Sequence, residues 1–374
     1  MTAPPLQASS AATARVDGRD RILFGGCNYL GLAQHPAVTH AAKQAIDQYG
    51  LSTSASRETT GNTTAHTTLE RALATFALSE SALLTPDGYL ANLTALQALS
   101  EIGIRHAVLD ERSHPSLADA ARLAGMPSAT FPHLDANAAA AILHKIPAPA
   151  VILTDSVFAA DGALAPAKDL HAALRPGDRL LLDDCHGFCV LGRQGRGAAD
   201  HHSLDHSLDP NPLVVTTTLA KGLGCAGGVI LAPNHLIQTA KDTSTAYICT
   251  TPASPALTTA AITALQTLQN QPQLLQTLRA NTKSFAKTLE RLGIPSQSTA
   301  TPIFAFTIDE PATMHAIHAA AWDAGLWLPL VHYPGGPAPT YFRLAITAAH
   351  TADHLAILAD FLINAISPKP GSKP

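Results

Sequence analysis

The sequence is short of charge, of paired cysteines and of long apolar runs, and each shortage closes off a class of protein. Charged residues make up only 14% of the 374 positions and hydrophobic ones 46%, a balance that builds a buried core and does not suit a disordered chain. The net charge of −4 leaves no basic footprint for nucleic acid or for an anionic membrane surface, and no apolar run is long enough to span a bilayer. The opening MTAPPLQASSAATARVDG lacks the basic start and apolar middle of a secretory signal. It reads, like the closing SPKPGSKP, as a short mobile tail. Five cysteines, an odd number without a paired framework, indicate a reduced, cytoplasmic protein. Cys185 and Cys189 flank His186, but no second ligand pair stands at zinc-site spacing. The histidine-rich DHHSLDHSLD (Asp200 to Asp209), with His202 and His206 four apart, reads as a solvated loop, and no metal is expected.

What is present is an alternation. A helix is expected after NYLGL, from about Asn28 to Tyr49, with Pro36 in its first turn, Ala41, Ala42, Ala45 and Ile46 on a buried stripe, and Gly50 as its stop. Thr67 to Leu78, Leu90 to Leu99 and Pro115 to Leu123 read as further helices, the last with Ser113 near its start and Gly125 past its end. Then AVILT (Ala150 to Thr154), RLLLD (Arg179 to Asp183), Val214 to Thr217 and Gly228 to Leu231 are apolar strands separated by helical stretches such as Lys168 to Leu174. Continuous apolar strands of this kind imply an α/β fold with a mostly parallel sheet covered on both faces. Ser254 to Arg291 is helical with a break at Pro272, and TPIFAFTI, a helix to Gly325, a strand near Arg343 and a helix from Thr351 make a small C-terminal α/β unit. The expected division is an N-terminal tail and segment (1–50), a large domain (51–255), and a linking helix with a small domain (256–374).

One stretch stands out within this frame. TTTLAKGLGCAGG places Lys221 just past a strand exit, among Gly222, Gly224, Gly227 and Gly228. A solvated loop lysine would satisfy the stretch taken alone. Desolvation there lowers the ammonium pKa, and a neutral amine can hold a carbonyl compound as an imine. In open parallel sheets ligands bind beyond the carboxyl ends of the strands, and Asp183 after RLLL, Lys221 after the threonines and TDSVFAADG after AVIL all stand at such ends. An amine and a carboxylate converging on one crevice suit pyridoxal 5′-phosphate, which needs a lysine and an acid facing its ring nitrogen. His186 is placed to reach the ring hydroxyl and His114 to cover the ring face. The Gly88–Tyr89 turn opening a helix, with Thr218, offers donors for the phosphate. Asp183 could instead be a structural acid at a strand end, with Asp184 its solvated neighbour; His114 could simply begin its helix, and Arg343 could belong to an ordinary ion pair.

The ordered set NYLGL, TGNTTAHTTLE, GYLAN, DERSHPSLADAA, TDSVFAADG, DDCHGFCVLGRQGRG, TLAKGLGCAGG and FRLAITAAHT, running from about Asn28 to Asp360, resembles the α-oxoamine synthases among the fold-type-I pyridoxal-phosphate enzymes. The resemblance implies a large domain holding the cofactor and a small C-terminal domain. It implies condensation of an amino acid with an acyl-CoA, CoA and carbon dioxide leaving, in a homodimer with a shared active site. Lys221 would hold the cofactor and remove the α-proton, Asp183 would pair with the ring nitrogen, His186 with the ring oxygen, and His114 would stack. Gly88, Tyr89 and Thr218 would hold the phosphate, Thr250 or Thr251 in YICTTPASP would reach the neighbouring subunit's phosphate, and Arg343 would hold the substrate carboxylate. Against the family's wording, Ser54, Ala55 and Ser56 replace glycines, Ala159 and Asp87 replace serines, and Cys27 replaces an asparagine. Transamination on the same fold, and a non-catalytic cofactor-binding paralogue, are the other readings the residues allow.

Overall fold

The computed structural model describes residues 3–204, 212–295, 299–333 and 335–366; His206 with the end of the histidine-rich stretch, and SPKPGSKP, lie outside them. The chain divides into two compact units, one of His35–Phe158 with Leu164–Gln271, the other of Met1–Gln34, Ala159–Ala163 and Pro272–Pro374.

The larger unit holds a seven-stranded sheet in the order Ser81–Thr85, Gly228–Ala232, Leu213–Thr218, Arg179–Asp183, Ala150–Asp155, His106–Asp110, Ser128–Phe131. The last five are joined by parallel pairings, whereas Gly228–Ala232 runs antiparallel to both neighbours. Its direction follows from the connection: Leu219 to Gly227 is too short for the crossover a parallel neighbour requires. Ala150–Asp155, Leu213–Thr218 and Gly228–Ala232 are buried along their whole length, as their continuous apolar and threonine runs require. The helix Gly88–Glu101 covers the sheet and buries Ala91, Ala95, Leu96 and Leu99 in one cluster with Leu83, Val151, Leu153, Leu181, Val214 and Ile230.

One expected boundary and one expected burial differ from the structure. The long helical stretch breaks at Pro272 into Pro255–Asn270 and Gln273–Arg291, and the first half packs on Pro36–Tyr49 and Thr64–Ala77. Small buried residues, Ala256, Ala260, Ala261 and Ala264 on one side and Ala41 and Ala45 on the other, let these helices close together. The larger unit therefore extends to Gln271 and not 255. Ile46, expected on the buried stripe, is 40% exposed.

The smaller unit corrects the reading of residues 1–18 as a tail. Thr13–Val16 and Arg19–Leu23 form an antiparallel hairpin with Val16 opposite Arg19. Asp17 and Gly18 make its two-residue turn, both with positive φ (50° and 73°), the geometry an Asp-Gly pair favours. Ala8–Ser9 and Leu326–Trp327 complete a four-stranded sheet. Ile303–Phe306, Tyr341–Ala345 and Leu330–Val331 form a second sheet of three, and Phe24, Phe285, Phe304, Phe306, Phe342 and Leu358 share its core.

Candidate active site

Three neighbouring strands of the large sheet end side by side, with Asp155 opposite Asp183 and Asp183 opposite Thr216. Asp183 is buried. Its Oδ2 accepts from Asn92 Nδ2 at 2.7 Å and its Oδ1 from the Cys185 amide at 3.1 Å. A carboxylate fixed by two N–H donors presents a defined charge at the mouth of the sheet. Asp184, the neighbour expected in solvent had Asp183 been structural, is buried instead. It accepts from the Ser156 hydroxyl and, at 2.9 Å, from the Ala198 amide, and so ties the GRG turn to the site.

Burial pushes the Asp184 carboxyl up to about 7, against the pull of the Ser156 and Ala198 hydrogen bonds. A buried acid with a raised folded pKa favours the fold while protonated. That contribution is complete below the unfolded value near 4 and is lost as pH rises towards 7. Asp184→Asn imitates the protonated acid, with Oδ1 accepting from Ala198 and Nδ2 donating to Ser156. The variant is expected to gain stability relative to the native chain between pH 5 and pH 8, by at most about 3 kcal/mol at 1.4 kcal/mol per pK unit. Denaturant midpoints at the two pH values measure this, and a constant difference contradicts it.

Lys221 Nζ lies 2.8 Å from His186 Nε2. The loop that carries the lysine is folded back by backbone bonds from Leu219 to Gly227, from Cys225 to Leu219 and from Gly224 to Lys221. The glycine after the lysine has a packing cause: a Cβ at Gly222 would sit 2.6 Å from both the Phe188 carbonyl oxygen and the Cys189 Cβ. The glycines thus bring the Lys221 loop against the DDCHGFC turn, which sets Lys221 beside His186.

His114, not Ser113, caps the helix Pro115–Leu123. Its amide donates to both oxygens of Asp155 at 3.2 Å, and its Nδ1 accepts from the Ser116 amide at 3.3 Å and lies 2.7 Å from Ser116 Oγ. Burial lowers the imidazole pKa, Asp183 opposing and Lys221 adding to the shift, so the ring is neutral and flat-faced at neutral pH. Asp155 is pushed well up by burial and by Asp183, with the His114 amide opposing.

Gly88 begins its helix with a bare α-carbon: a Cβ there would lie 3.2 Å from Thr218 Cβ and 3.3 Å from Cys185 Sγ. The Cys185 Sγ faces Gly88, whereas Cys189 lies with its Cβ against Gly222 and its backbone against Gly195. Among the described residues no group of three or more His, Cys, Asp or Glu side chains could hold a metal ion. Asp87 caps the helix, its Oδ1 accepting from the Leu90 amide at 2.8 Å.

The structure therefore brings together Lys221, Asp183, His186, His114, Gly88 and Thr218. Thr218 uses its hydroxyl within the turn, donating to Gly227 at 3.0 Å and accepting from Ala220 at 3.2 Å. Tyr89 turns outward, its hydroxyl donating to Asp119, so only its backbone remains for a phosphate. Thr250 closes its own short helix by donating to Ala246 at 2.8 Å, and Thr251 is exposed. Arg343 belongs to the smaller unit, where its Nε donates to the Ala159 carbonyl at 2.6 Å and its guanidinium bonds the buried Tyr29. The position where Ala159 replaces a serine thus acts through its backbone. Asn92, Ser116 and Asp155 were not singled out from sequence. For Asn92 a signal existed in GYLAN: one helical turn after Gly88, it points to the same side.

The chain belongs to the aminotransferase class I and II family, whose model matches residues 19–362. Within it the similarity runs to α-oxoamine synthases. The chain is 38% identical to the 8-amino-7-oxononanoate synthase of Mycolicibacterium vanbaalenii, over 91% of this chain and 89% of that one. It is 34% identical to the enzyme of the same name from Stutzerimonas stutzeri, over 96% and 91%. Among solved structures, a serine palmitoyltransferase from S. paucimobilis with bound PLP-myriocin aldimine superposes with a TM-score of 0.88 at 25% identity, covering 96% of this chain and 90% of that one. The fold is that of the fold-type-I pyridoxal-phosphate transferases.

Proposed function

We propose that this protein is an 8-amino-7-oxononanoate synthase-type enzyme of the biotin pathway, a pyridoxal-phosphate-dependent acyltransferase. It joins a small amino acid, L-alanine by preference, to an acyl-CoA with loss of CoA and carbon dioxide. The observation that carries the reading is the convergence of Lys221, Asp183, His186 and His114 at the ends of adjacent strands, in a chain similar to synthases of that name along nearly all its length.

The donor set fits the cofactor. Lys221 supplies the amine that holds it, Asp183 the carboxylate for its ring nitrogen, His186 a partner for its ring oxygen, and His114 a neutral flat ring to cover it. The Gly88–Tyr89 amides at the head of a long helix supply donors for the phosphate. Pyridoxal phosphate, when bound, supplies an electron-withdrawing ring that tolerates negative charge at the substrate α-carbon. Lys221 moves the proton at that carbon, with His186 orienting Nζ from 2.8 Å. Arg343, positioned by its Nε bond to the Ala159 carbonyl and by its bond to Tyr29, offers its remaining N–H groups to the substrate carboxylate. The working form is a cytoplasmic homodimer in which Thr250 or Thr251 serves the partner's phosphate.

Free thiol should appear from pimeloyl-CoA, a dicarboxylic acyl-CoA, only when L-alanine is also present. Absence of thiol with every combination of small amino acid and acyl-CoA rejects the reading, and a keto acid formed without CoA release assigns transamination. Asp87 gives a second expectation. Its charge occupies the end of the helix that the phosphate needs. Asp87→Ser keeps the cap without the charge, and it should tighten pyridoxal phosphate binding about threefold to tenfold while leaving pyridoxal, which has no phosphate, unchanged. Equal shifts for both compounds, measured by absorbance titration, contradict the charge argument.

A further inference from the structure

Two buried groups, Asn92 and Ser116, link the acid to the imidazole through hydrogen bonds, with Thr216 bonded to Asn92 on the far side. Thr216 Oγ1 donates to Asn92 Oδ1 at 2.5 Å. Asn92 Nδ2 donates to Asp183 Oδ2 at 2.7 Å and to Ser116 Oγ at 2.9 Å. Ser116 Oγ lies 2.7 Å from His114 Nδ1. Asn92, Ser116 and Thr216 are each no more than 1% exposed, so every proton in the chain needs a partner inside it.

Only one ordering of those protons leaves no group unsatisfied. An ionised Asp183 can only accept, so the Asn92 amide nitrogen must face it and the amide oxygen must face Thr216. That nitrogen spends its second hydrogen on Ser116. The Ser116 hydroxyl then accepts from Asn92 and sends its own hydrogen to His114 Nδ1, which also accepts the Ser116 amide. The imidazole is thereby fixed as the tautomer with its proton on Nε2, the nitrogen left to meet a ligand.

The geometry points to Asn92 as the positioning residue that couples Asp183 to His114, with Ser116 as its relay. Asn92 touches neither reacting atom; it acts by holding the carboxylate in place and by setting the proton order that ends at the imidazole. Networks of this kind are worth more than their separate bonds, because each link orients the next. The inference rests on the proposed cofactor site, since Asp183 and His114 matter together only if one ligand lies between them.

The test uses purified full-length Asn92→Ala, Ser116→Ala and the double variant, with folding checked by circular dichroism and thermal melts. Each is loaded with pyridoxal phosphate, and its visible band is followed against pH. Turnover with L-alanine and pimeloyl-CoA is followed against pH in parallel. Asn92→Ala should move the pH dependence of the band and lower kcat about tenfold to hundredfold with little change in the amino-acid KM. Ser116→Ala should leave the band in place and shift only the kcat profile. The double variant should be no worse than Asn92→Ala, because the relay has lost its donor already. If the two single effects multiply, the residues act independently and the coupling is wrong. If Asn92→Ala melts like the native protein and keeps its band and kcat, Asn92 is not a positioning residue. A native protein that develops no visible band with pyridoxal phosphate overturns the cofactor reading on which the inference stands, and the inference falls with it. A native protein that loads normally isolates the fault to Asn92.

Discussion

Lys221→Ala is expected to abolish covalent retention of pyridoxal phosphate and to reduce turnover by about 10³-fold or more, the scale of losing a positioned base together with the attachment point. The fold should survive. Lys221 is only half-buried, and its loop is held by backbone bonds from Leu219, Gly224 and Cys225 that do not involve the side chain. Lys221→Arg separates amine chemistry from simple positive charge. A guanidinium keeps the charge beside His186 but does not lose its proton at accessible pH, so it should be as inactive as alanine. Two measurements decide the matter: the mass added to the chain after borohydride treatment of the loaded protein, and CoA release from the full reaction. Full activity in the arginine variant would mean that Lys221 serves as a charge and that the attachment point lies elsewhere.

Much of the site was legible because its residues carry two signals at once, a strand exit and a chemical type rare at such a place. RLLLD and the threonine run announce buried strands by their continuous apolar or β-branched character, and the acid and the amine that follow are then conspicuous. The order of the motifs made the assignment specific. Three strands of the large sheet escaped. SALLT, HAVLD and SATF are short and carry few β-branched residues, and each becomes a strand because a partner in the sheet is waiting for it. Tertiary pairing decides such segments and local propensity does not.

The N-terminal hairpin was missed for a different reason. Asp17–Gly18 is a strong turn signal, but it lies in a stretch whose alanines, serines and prolines suggest a loose tail. Ala12, Ala14 and Val16 are buried all the same, because small side chains fit against a neighbouring strand. Ser116 and Asp155 were beyond reach for a third reason, and for Asn92 only its register with Gly88 in GYLAN was on view. Their importance lies in contacts across 91, 24 and 41 positions of sequence, and no periodicity reports a hydrogen bond at that range. The same limit hid Asp184, whose burial depends on the turn that returns Ala198 to it.

Asp183→Asn should lower kcat about 10²- to 10³-fold, the range for removing one preorganised electrostatic partner from a reacting centre, and should cost about 1–3 kcal/mol of stability. Both numbers follow from the bonds around the carboxylate. The new amide keeps its oxygen towards the Cys185 N–H, and its nitrogen then faces Asn92 Nδ2, donor against donor. Asn92 can rotate its amide to accept from residue 183, and Thr216 can reverse its hydroxyl to accept in turn. Ser116 cannot follow. Its single hydroxyl hydrogen would face two acceptors, Asn92 Oδ1 and His114 Nδ1, and one of them goes without. The substitution therefore weakens the ring-nitrogen contact directly and loosens the imidazole through Ser116. Two readouts follow from that double effect. The kcat at saturating cofactor reports the lost charge, and the pH profile of kcat reports the imidazole. A fall in kcat with an unmoved profile would confine the role of Asp183 to the ring nitrogen. An unchanged kcat would remove Asp183 from the chemistry and return it to the status of a structural acid at a strand end.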